Sequence, residues 1–264
     1  MIYHSIIING HPAAVESFAP PACGQALYEV IRVTEGNFLF LDDHIHRLNH
    51  SARLAGVGLT LPVSYVRKQL EQLLQLNGVQ TGNIRMDYYF LAGKVQYQAA
   101  YFIRHFYPSD EDYRKGVKTC LFVAERTNPN AKIVQTGLRE QVERIIAEKK
   151  VYEVILVHPD GYITEGSRST IFMVNAGTVY TAPEADVLPG ITRKYVLQAC
   201  SELSIPLVET RIAIGRLPGM DAVFIAGTSP KVLPVSLIDE HRFDPANETV
   251  RQIMKKYDEM AYLN

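Results

Sequence analysis

The chain has 264 residues, of which 47% are hydrophobic and 21% are charged, and its formal net charge is −1. This length allows one large domain or two modest ones, each with its own apolar core. A near-neutral charge gives no electrostatic reason to expect binding to nucleic acid or to an anionic membrane surface. The N-terminus lacks a basic segment followed by an apolar run, and no uncharged apolar run approaches the ~20 residues that span a bilayer. We therefore expect neither a secretory signal nor a membrane anchor.

The three cysteines, Cys23, Cys120 and Cys200, lie far apart and have no metal-ligand spacing. An odd and scattered set is typical of reduced, incidental thiols rather than of disulfides or a metal site. We therefore expect a cytoplasmic protein without a metal site.

The first third of the chain predicts a hairpin, several strands and two helices. An Asn-Gly turn follows the strand-like residues 5–8, which is typical of a β-hairpin. Apolar residues at helical spacing predict one helix that begins near Asp42 and ends at Gly56. A second predicted helix covers residues 64–77 and ends at Gly78. Further strands are predicted at residues 27–33, 38–41, 83–91 and 96–106.

The most polar connector in the middle of the chain, Pro108–Asp112, predicts a domain boundary. We expect a small N-terminal α/β domain over residues 1–107, a linker over 108–116 and a larger C-terminal domain over 117–264. Beyond the connector, helices are predicted at 138–149, 192–203 and 248–260, and buried strands at 221–226 and 232–238. This alternation predicts an α/β fold with α+β character, whose two domains have mixed sheets flanked by helices.

One carboxylate, Glu165, stands out because it lies between two strand-like apolar runs, residues 154–157 and 170–174. A carboxylate in such a place is costly unless it meets a cation or a hydrogen-bond donor. The alternative interpretation is a glutamate on the surface of a hairpin, which is the commoner case for a single residue.

A lysine, Lys132, lies in an uncharged segment, Asn128–Val134, ahead of a predicted helix. Apolar surroundings lower the proton affinity of a lysine and make it a competent nucleophile toward an aldehyde. The alternative is a solvated lysine in a loop, which is ordinarily more frequent.

Three further features could bind a phosphate group. The Pro-Gly turn before Ile191 and Thr192 leads into a predicted helix whose free N–H groups suit an anion. Gly227 and the hydroxyls of Thr228 and Ser229 follow a buried strand. Arg47 lies beside an apolar helix face, from which it can bind a phosphate with two N–H groups. Taken singly, a capping threonine, a Ser/Thr turn and a solvent-directed arginine are the simpler interpretations.

Together these features fit one ligand. A carboxylate for a ring nitrogen, a lysine for an aldehyde and three donor sets for one phosphate indicate a pyridoxal 5'-phosphate (PLP) site. Their order and spacing resemble the class IV, fold-type IV aminotransferases, a family of D-amino-acid and branched-chain aminotransferases to which aminodeoxychorismate lyase is related. The resemblance extends from Tyr28-Glu29 to Pro234-Val235 and includes His-x-x-Arg-Leu, Glu-Gly, Gly-Ile-Thr and a Gly-Thr-Ser loop before Pro-Val.

The resemblance implies roles for individual residues. Lys132 would bind the cofactor aldehyde and transfer the Cα proton, and Glu165 would pair with the pyridine nitrogen. The phosphate would be held by Arg47, the Ile191 N–H, Thr192 and Thr228. Substrate contacts would come from Tyr28, Arg85, Gly227 and Ser229. The implied reaction is ping-pong transamination between an amino acid and a 2-oxo acid in a homodimer, because active sites of the family borrow residues from a neighbouring subunit.

The sequence departs from the family pattern at several positions. Lys231 stands where known members usually have Glu, and Pro230 is uncommon at its position. The segment after Lys132 lacks the Tyr of branched-chain enzymes and the Asn of lyases and D-specific enzymes. Tyr28-Glu29 resembles the D-amino-acid and branched-chain pattern more than the lyase pattern, and Ile84-Arg85 resembles the branched-chain Ile-Arg. The Arg and His that bind the substrate carboxylate in D-amino-acid aminotransferase have no counterpart in the segment Tyr89–Leu91, which disfavours strict D-specificity.

Three functions are compatible with these motifs. The first is a PLP-dependent aminotransferase acting on an amino acid, branched-chain and aromatic donors included. The second is aminodeoxychorismate lyase, which uses the same lysine and cofactor to release pyruvate and 4-aminobenzoate, although Tyr28-Glu29 differs from the lyase pattern. The third is a non-catalytic protein with a PLP fold, suggested by Pro230 and Lys231 but opposed by the intact lysine, glutamate and phosphate set.

Overall fold

The computed structural model describes residues 1–22 and 25–262, so Cys23 lies outside the described part of the chain. The described chain forms two compact units. Of the described residues, the first unit contains Met1–Phe106 and Ala131–Val134, and the second contains Tyr107–Asn130 and residues 135–262.

The first unit is an antiparallel sheet covered by two helices. Its described residues form six strands in the order β2-β1-β6-β5-β3-β4, all joined by antiparallel pairs. The strands are β1 (Ser5–Ile8), β2 (His11–Ala14), β3 (Gln25–Thr34), β4 (Asn37–Phe38), β5 (Gly82–Leu91) and β6 (Lys94–Ile103). The helices are α1 (Leu41–Leu54) and α2 (Val63–Asn77). Gly78 ends α2 in the left-handed conformation with φ +63°, as the sequence predicts.

The alternation of side chains along β3 separates a helix-covered face from the opposite face of the sheet. Leu27, Ile31 and Val33 belong to the core cluster that also includes apolar residues of α1 and α2. Residues at every second position share a face of a strand, so Glu29 lies on this core face while Tyr28 lies on the other. A buried carboxylate on an apolar face requires a cation, and α1 provides one.

The second unit is built on a mixed sheet. Its described strands run in the order β12-β11-β10-β14-β15-β7-β8-β9-β13, and β16 also pairs with β15. The pairs β7·β8, β7·β15 and β11·β12 are parallel. These strands are β7 (Val117–Val123), β8 (Glu153–Val157), β9 (Tyr162–Gly166), β10 (Thr170–Asn175), β11 (Thr178–Thr181), β12 (Leu207–Glu209), β13 (Ile212–Ala213), β14 (Ala222–Gly227), β15 (Lys231–Ile238) and β16 (His241–Arg242). The helices are α3 (Asp110–Lys115), α4 (Thr136–Lys149), α5 (Ile191–Glu202) and α6 (Glu248–Tyr262).

The structure confirms the predicted fold class, with one refinement. Both units combine helices with sheets, but the sheet of the first unit is wholly antiparallel, so only the second unit has the mixed sheet that we expected. None of the helices in the described ranges is long and apolar enough to cross a membrane.

The division of the chain differs from the expected boundaries in two respects. Residues 108–116 are not a plain linker, because α3 forms there with a capping box between Ser109 and Asp112. The segment around Lys132 belongs to the first unit, whereas we expected it in the C-terminal domain. The reason is backbone pairing: Val134 N–H donates to Ala26 O at 3.1 Å, and Tyr28 N–H donates to Lys132 O at 3.2 Å. These bonds attach the segment to β3.

The start of α1 also differs from the expectation. The residue before the helix is Phe40, which has φ +54° and makes no side-chain capping bond. Asp42 and Asp43 lie in the first turn, where negative charge favours the helix dipole without capping it.

Candidate active site

Lys132 has a fixed backbone in the first unit. Its carbonyl accepts from Tyr28 N–H at 3.2 Å, and its own N–H donates to Ser51 Oγ at 3.2 Å. Its Nζ lies 4.8 Å from the centre of the Tyr28 ring, which is cation–π distance. Because the backbone is held on both sides, the amine moves only through rotation of its own side chain.

Arg47 lies in a buried ionic network rather than reaching to solvent. Its Nε and Nη2 donate to the two oxygens of Glu29 at 2.7 Å each, and His44 Nδ1 lies 2.9 Å from Glu29 Oε2. Glu29 is 0% exposed and Arg47 is 8% exposed. Burial opposes ionisation of Glu29, but the charge of Arg47 and hydrogen bonds from His44 and Arg47 outweigh it and hold the pKa of Glu29 well below its usual range. Burial lowers the pKa of His44, so this imidazole is held neutral.

Tyr28 and Arg85 lie together on the face of the first sheet opposite the helices. The Arg85 guanidinium carbon is 4.4 Å from the centre of the same Tyr28 ring that Lys132 contacts. Arg85 Nε and Nη2 each lie 2.8 Å from Asp87 Oδ1. Tyr28 is opposite Asp87 in the register of β3 and β5. The structure therefore groups two predicted substrate residues with Lys132, and adds a carboxylate that the sequence did not suggest.

Glu165 meets a cation inside the second unit. It is 5% exposed and lies within β9 itself, not in the turn after it. Its Oε1 accepts from Arg126 Nη1 at 2.8 Å, and its Oε2 accepts from Leu188 N–H at 3.3 Å. The sequence suggested a ring nitrogen as the partner of this carboxylate, whereas the structure pairs it with Arg126. The two partners are compatible, because a carboxylate has about four acceptor positions.

The Arg126–Glu165 pair borders a pocket of about 230 Å³ within the second unit. Its other polar lining residues are themselves paired: the His158 ring stacks on Tyr162 with 4.5 Å between ring centres, and Arg211 binds Asp186 with two N–H groups at 2.7 and 2.8 Å. The pocket therefore places polar side chains around the buried carboxylate of Glu165.

The turn between Glu165 and β10 is tightly packed. A Cβ added at Gly166 would clash with Ser169 Oγ and would lie 3.2 Å from Ser169 O. The carboxyl of buried Glu153 accepts hydrogen bonds from the hydroxyls of Ser167 and Ser169. Burial raises the pKa of Glu153. The close approach of Ser169 thus favours glycine directly after Glu165.

The phosphate candidates of the second unit lie at a helix terminus and a hairpin turn. Helix α5 begins at Ile191 after Gly190, which makes no side-chain capping bond, so the terminal N–H groups are not satisfied by a cap. Thr192 is the second residue of the helix and is 4% exposed. Gly190 approaches Thr170 closely, since an added Cβ would lie 3.0 Å from Thr170 Oγ1. An uncapped helix start with a buried hydroxyl suits a phosphate group.

Thr228 and Ser229 form the turn between β14 and β15. Gly227 pairs with Lys231 across this turn, and an added Cβ at Gly227 would lie 3.3 Å from Arg168 O. Lys231 adopts φ +52°, and its Nζ binds Asp258 Oδ1 at 2.7 Å. Lys231, which departs from the family pattern, therefore helps to shape the turn. Its charge is balanced by Asp258 of α6.

Sequence reasoning missed four residues that these networks contain: Glu29 as the partner of Arg47, His44, Asp87 and Arg126. Glu29 had a detectable signal, because a carboxylate at the period-two core position of β3 implies a buried cation. Asp87 also had a local signal, because it lies two residues from Arg85 on β5, a spacing that places both on one face of the strand. His44 and Arg126 carry no local signal, because their partners are 15 and 39 residues away in sequence.

Comparisons with known proteins identify the family of the chain. The family model "Amino-transferase class IV" matches residues 26–238. D-alanine aminotransferase of Bacillus licheniformis is 30% identical over 227 residues, which covers 82% of this chain and 80% of the relative. A branched-chain-amino-acid aminotransferase of Pseudomonas aeruginosa is 25% identical over 235 residues, covering 82% and 76%.

Solved structures show the same fold. The branched-chain amino acid aminotransferase of Escherichia coli superposes with a TM-score of 0.86 at 19% identity, covering 98% of this chain and 95% of that one. The T.th. branched-chain amino acid aminotransferase with pyridoxamine 5'-phosphate gives a TM-score of 0.86 at 21% identity. The match covers 99% of this chain and 95% of that one.

The chain belongs to the class IV aminotransferase family. It is a PLP-dependent enzyme that transfers an amino group between an amino acid and a 2-oxo acid, and the lyase alternative is not favoured. The chemistry of the donor set fits the cofactor. The first unit has a lysine with a fixed backbone and a buried arginine, and the second has a buried carboxylate and an uncapped helix start.

Proposed function

We propose that Lys132 is the residue that binds the cofactor aldehyde and moves the substrate proton. The observation that carries this proposal is its fixed backbone, with bonds to Tyr28 and Ser51, combined with an amine 4.8 Å from the Tyr28 ring centre. A nucleophile must be held near its target while a proton shuttle must move over a short distance. A fixed backbone with a rotatable side chain meets both requirements.

We further propose that Glu165 accepts a hydrogen bond from the protonated pyridine nitrogen. PLP supplies an aldehyde and a ring that withdraws electrons from the substrate Cα, and this withdrawal is strongest when the ring nitrogen keeps its proton. Arg126 and Leu188 N–H hold the two oxygens of Glu165 in place at 2.8 and 3.3 Å. The carboxylate is therefore oriented before the cofactor arrives.

The phosphate contacts in this proposal are Arg47, the Ile191 N–H, Thr192 and Thr228. Glu29 fixes the Arg47 guanidinium through Nε and Nη2, and α5 begins without a capping side chain. Oriented donors lose little freedom when they bind a phosphate, so they retain the cofactor better than flexible ones.

Tyr28, Arg85, Gly227 and Ser229 are the proposed substrate contacts. In each half-reaction Lys132 removes or returns the Cα proton, and the oxo acid leaves before the second one binds. We propose a cytoplasmic homodimer as the working form. The family resemblance supports the dimer. The free thiols of Cys120 and Cys200 support a reducing compartment such as the cytoplasm.

Borohydride trapping tests the lysine assignment. Reduction of the yellow holoenzyme followed by peptide mass spectrometry should place the pyridoxyl group on Lys132 in the wild type. Lys132→Ala should lose both the adduct and transamination, by about 10³-fold or more, because general acid–base transfer and covalent binding are both removed. Lys68→Ala, which changes an exposed lysine of α2, is the matched control and should behave as the wild type.

Two results would contradict the proposal. An adduct on a different lysine in the wild type would refute the role of Lys132. Release of 4-aminobenzoate from aminodeoxychorismate, without amino transfer to any 2-oxo acid, would favour the lyase instead.

A further inference from the structure

The Tyr28 ring is shared by the reactive lysine and a guanidinium. Lys132 Nζ lies 4.8 Å and the Arg85 guanidinium carbon 4.4 Å from the centre of this ring. A substrate that reacts at Lys132 therefore lies close to the Tyr28 ring, which Arg85 also contacts. An arginine at such a place would ordinarily attract a substrate that carries a second carboxylate.

Asp87 already forms an ion pair with Arg85. Arg85 Nε and Nη2 both contact Asp87 Oδ1 at 2.8 Å, and Tyr101 Oη donates to Asp87 Oδ2 at 2.5 Å. Asp87 is 0% exposed and the Arg85 side chain is 14% exposed, so water screens this pair only weakly. Burial and the charge of Asp87 raise the pKa of Tyr101, so its hydroxyl keeps the proton that it donates. Arg85, Asp87 and Tyr101 form a unit without net charge.

We propose that Asp87 is a specificity-determining residue that neutralises Arg85, so that the enzyme takes amino acids and 2-oxo acids with uncharged side chains and disfavours dicarboxylic ones. This proposal rests on the proposed function, in which Lys132 marks the reacting centre. A side-chain carboxylate near Arg85 would meet a guanidinium whose charge Asp87 already offsets, so it would lose its hydration without gaining a counter-charge. An uncharged side chain meets the face of Tyr28 and a neutral ion pair without that cost.

The experiment compares two achiral acceptors, so the stereochemistry of the donor does not enter. Enzyme loaded with pyridoxamine 5'-phosphate is mixed with 2-oxoglutarate or with 4-methyl-2-oxopentanoate, and the return of the cofactor spectrum gives kcat/KM for each half-reaction. The wild type should prefer 4-methyl-2-oxopentanoate. Asp87→Asn should raise the ratio of 2-oxoglutarate to 4-methyl-2-oxopentanoate by roughly tenfold or more, the scale of one charge-assisted hydrogen bond.

Binding without turnover provides a second readout. Calorimetric titration of the resting enzyme with glutarate and with 4-methylpentanoate measures affinity alone. Asp87→Asn should bind glutarate roughly tenfold more tightly and 4-methylpentanoate with nearly unchanged affinity, because only the dicarboxylic acid gains a free guanidinium.

Two control variants separate the charge of Asp87 from other effects. Tyr101→Phe removes the hydroxyl but keeps the carboxylate, so the acceptor ratio should stay close to that of the wild type. Glu143→Gln removes a carboxylate from an exposed pair with Arg139 at 3.0 Å, and it should leave the ratio unchanged.

The outcomes are distinguishable. A wild type that prefers 2-oxoglutarate overturns the proposal, and this measurement needs no variant. An equal rise of kcat/KM for both acceptors in Asp87→Asn also overturns it, because Arg85 would then bind a group that both acceptors share. If the wild type converts neither these nor any other 2-oxo acid, the proposed function fails instead.

Discussion

The buried pair of Glu29 and Arg47 gives the sharpest prediction about stability. Glu29→Gln removes the charge but keeps the shape of a side chain that accepts from Arg47 twice and contacts His44 once, at 2.7, 2.7 and 2.9 Å. The variant leaves the buried Arg47 guanidinium without the charge of Glu29. The expected result is a large loss in the free energy of unfolding.

The magnitude follows from the contacts. Glutamine keeps one oxygen acceptor and presents an NH2 group to the other donors, so about two charge-assisted hydrogen bonds are lost, at roughly 1.5–3 kcal/mol each. Removing one partner of a buried ion pair ordinarily costs about 3–5 kcal/mol. Both arguments predict a loss of about 3–5 kcal/mol for Glu29→Gln, and a similar loss for Arg47→Gln.

The assay is a double-mutant cycle on the apoprotein by urea unfolding. The chain has no Trp, so far-ultraviolet circular dichroism is the suitable signal. Because the two residues are partners, the double variant should be more stable than the sum of the single losses predicts, by about 2–3 kcal/mol. Single losses below about 1 kcal/mol, or additivity within about 0.5 kcal/mol, would refute the argument that the pair is buried and coupled.

Two further predictions concern acid stability and packing. Burial lowers the pKa of His44 below its ordinary value of 6.5. Below about pH 6.5 the unfolded chain therefore binds a proton that the folded chain does not. The free energy of unfolding should then fall as the pH drops, by up to about 1.4 kcal/mol per pH unit. His44→Gln should reduce that slope in urea unfolding between about pH 7 and pH 5, and an unchanged slope would contradict a neutral buried imidazole. Gly166→Ala places a Cβ against Ser169 Oγ, well inside contact distance, so it should lower the free energy of unfolding by about 1–3 kcal/mol. Gly137→Ala in α4, where an added Cβ meets no atom within 4 Å, is the control and should be neutral or slightly stabilising in the same measurement.

The helices and strands were largely predictable because their signals are local. Apolar spacing predicted α2, α5 and α6 with ends displaced by only a few residues, and Gly78 ends α2 as expected. The start of α1 was not predictable in the same way, because Phe40 in the left-handed conformation replaces a capping side chain.

The linker was misjudged because its composition resembled a connector. Its polar residues include Ser109 and Asp112, which form a capping box and begin α3. The sequence could not show which unit contains Lys132 either. Lys132 belongs to the first unit because backbone hydrogen bonds attach its segment to β3, more than a hundred residues earlier.

The sequence alone indicated the cofactor, because each PLP group needs a residue type at a short, local motif: a lysine, a Glu-Gly, a Gly-Ile-Thr and a Gly-Thr-Ser. The same motifs left transamination and the lyase reaction open. Only the tertiary structure decided the charged partners. Arg126 meets Glu165, Glu29 meets Arg47, and Asp87 meets Arg85. The physical reason is that the energy of a charge depends on burial and on neighbours a few ångströms away, and folding sets both. It buries the pair of Arg85 and Asp87, which lie two residues apart on β5, and it brings the members of the other two pairs together from separate parts of the chain.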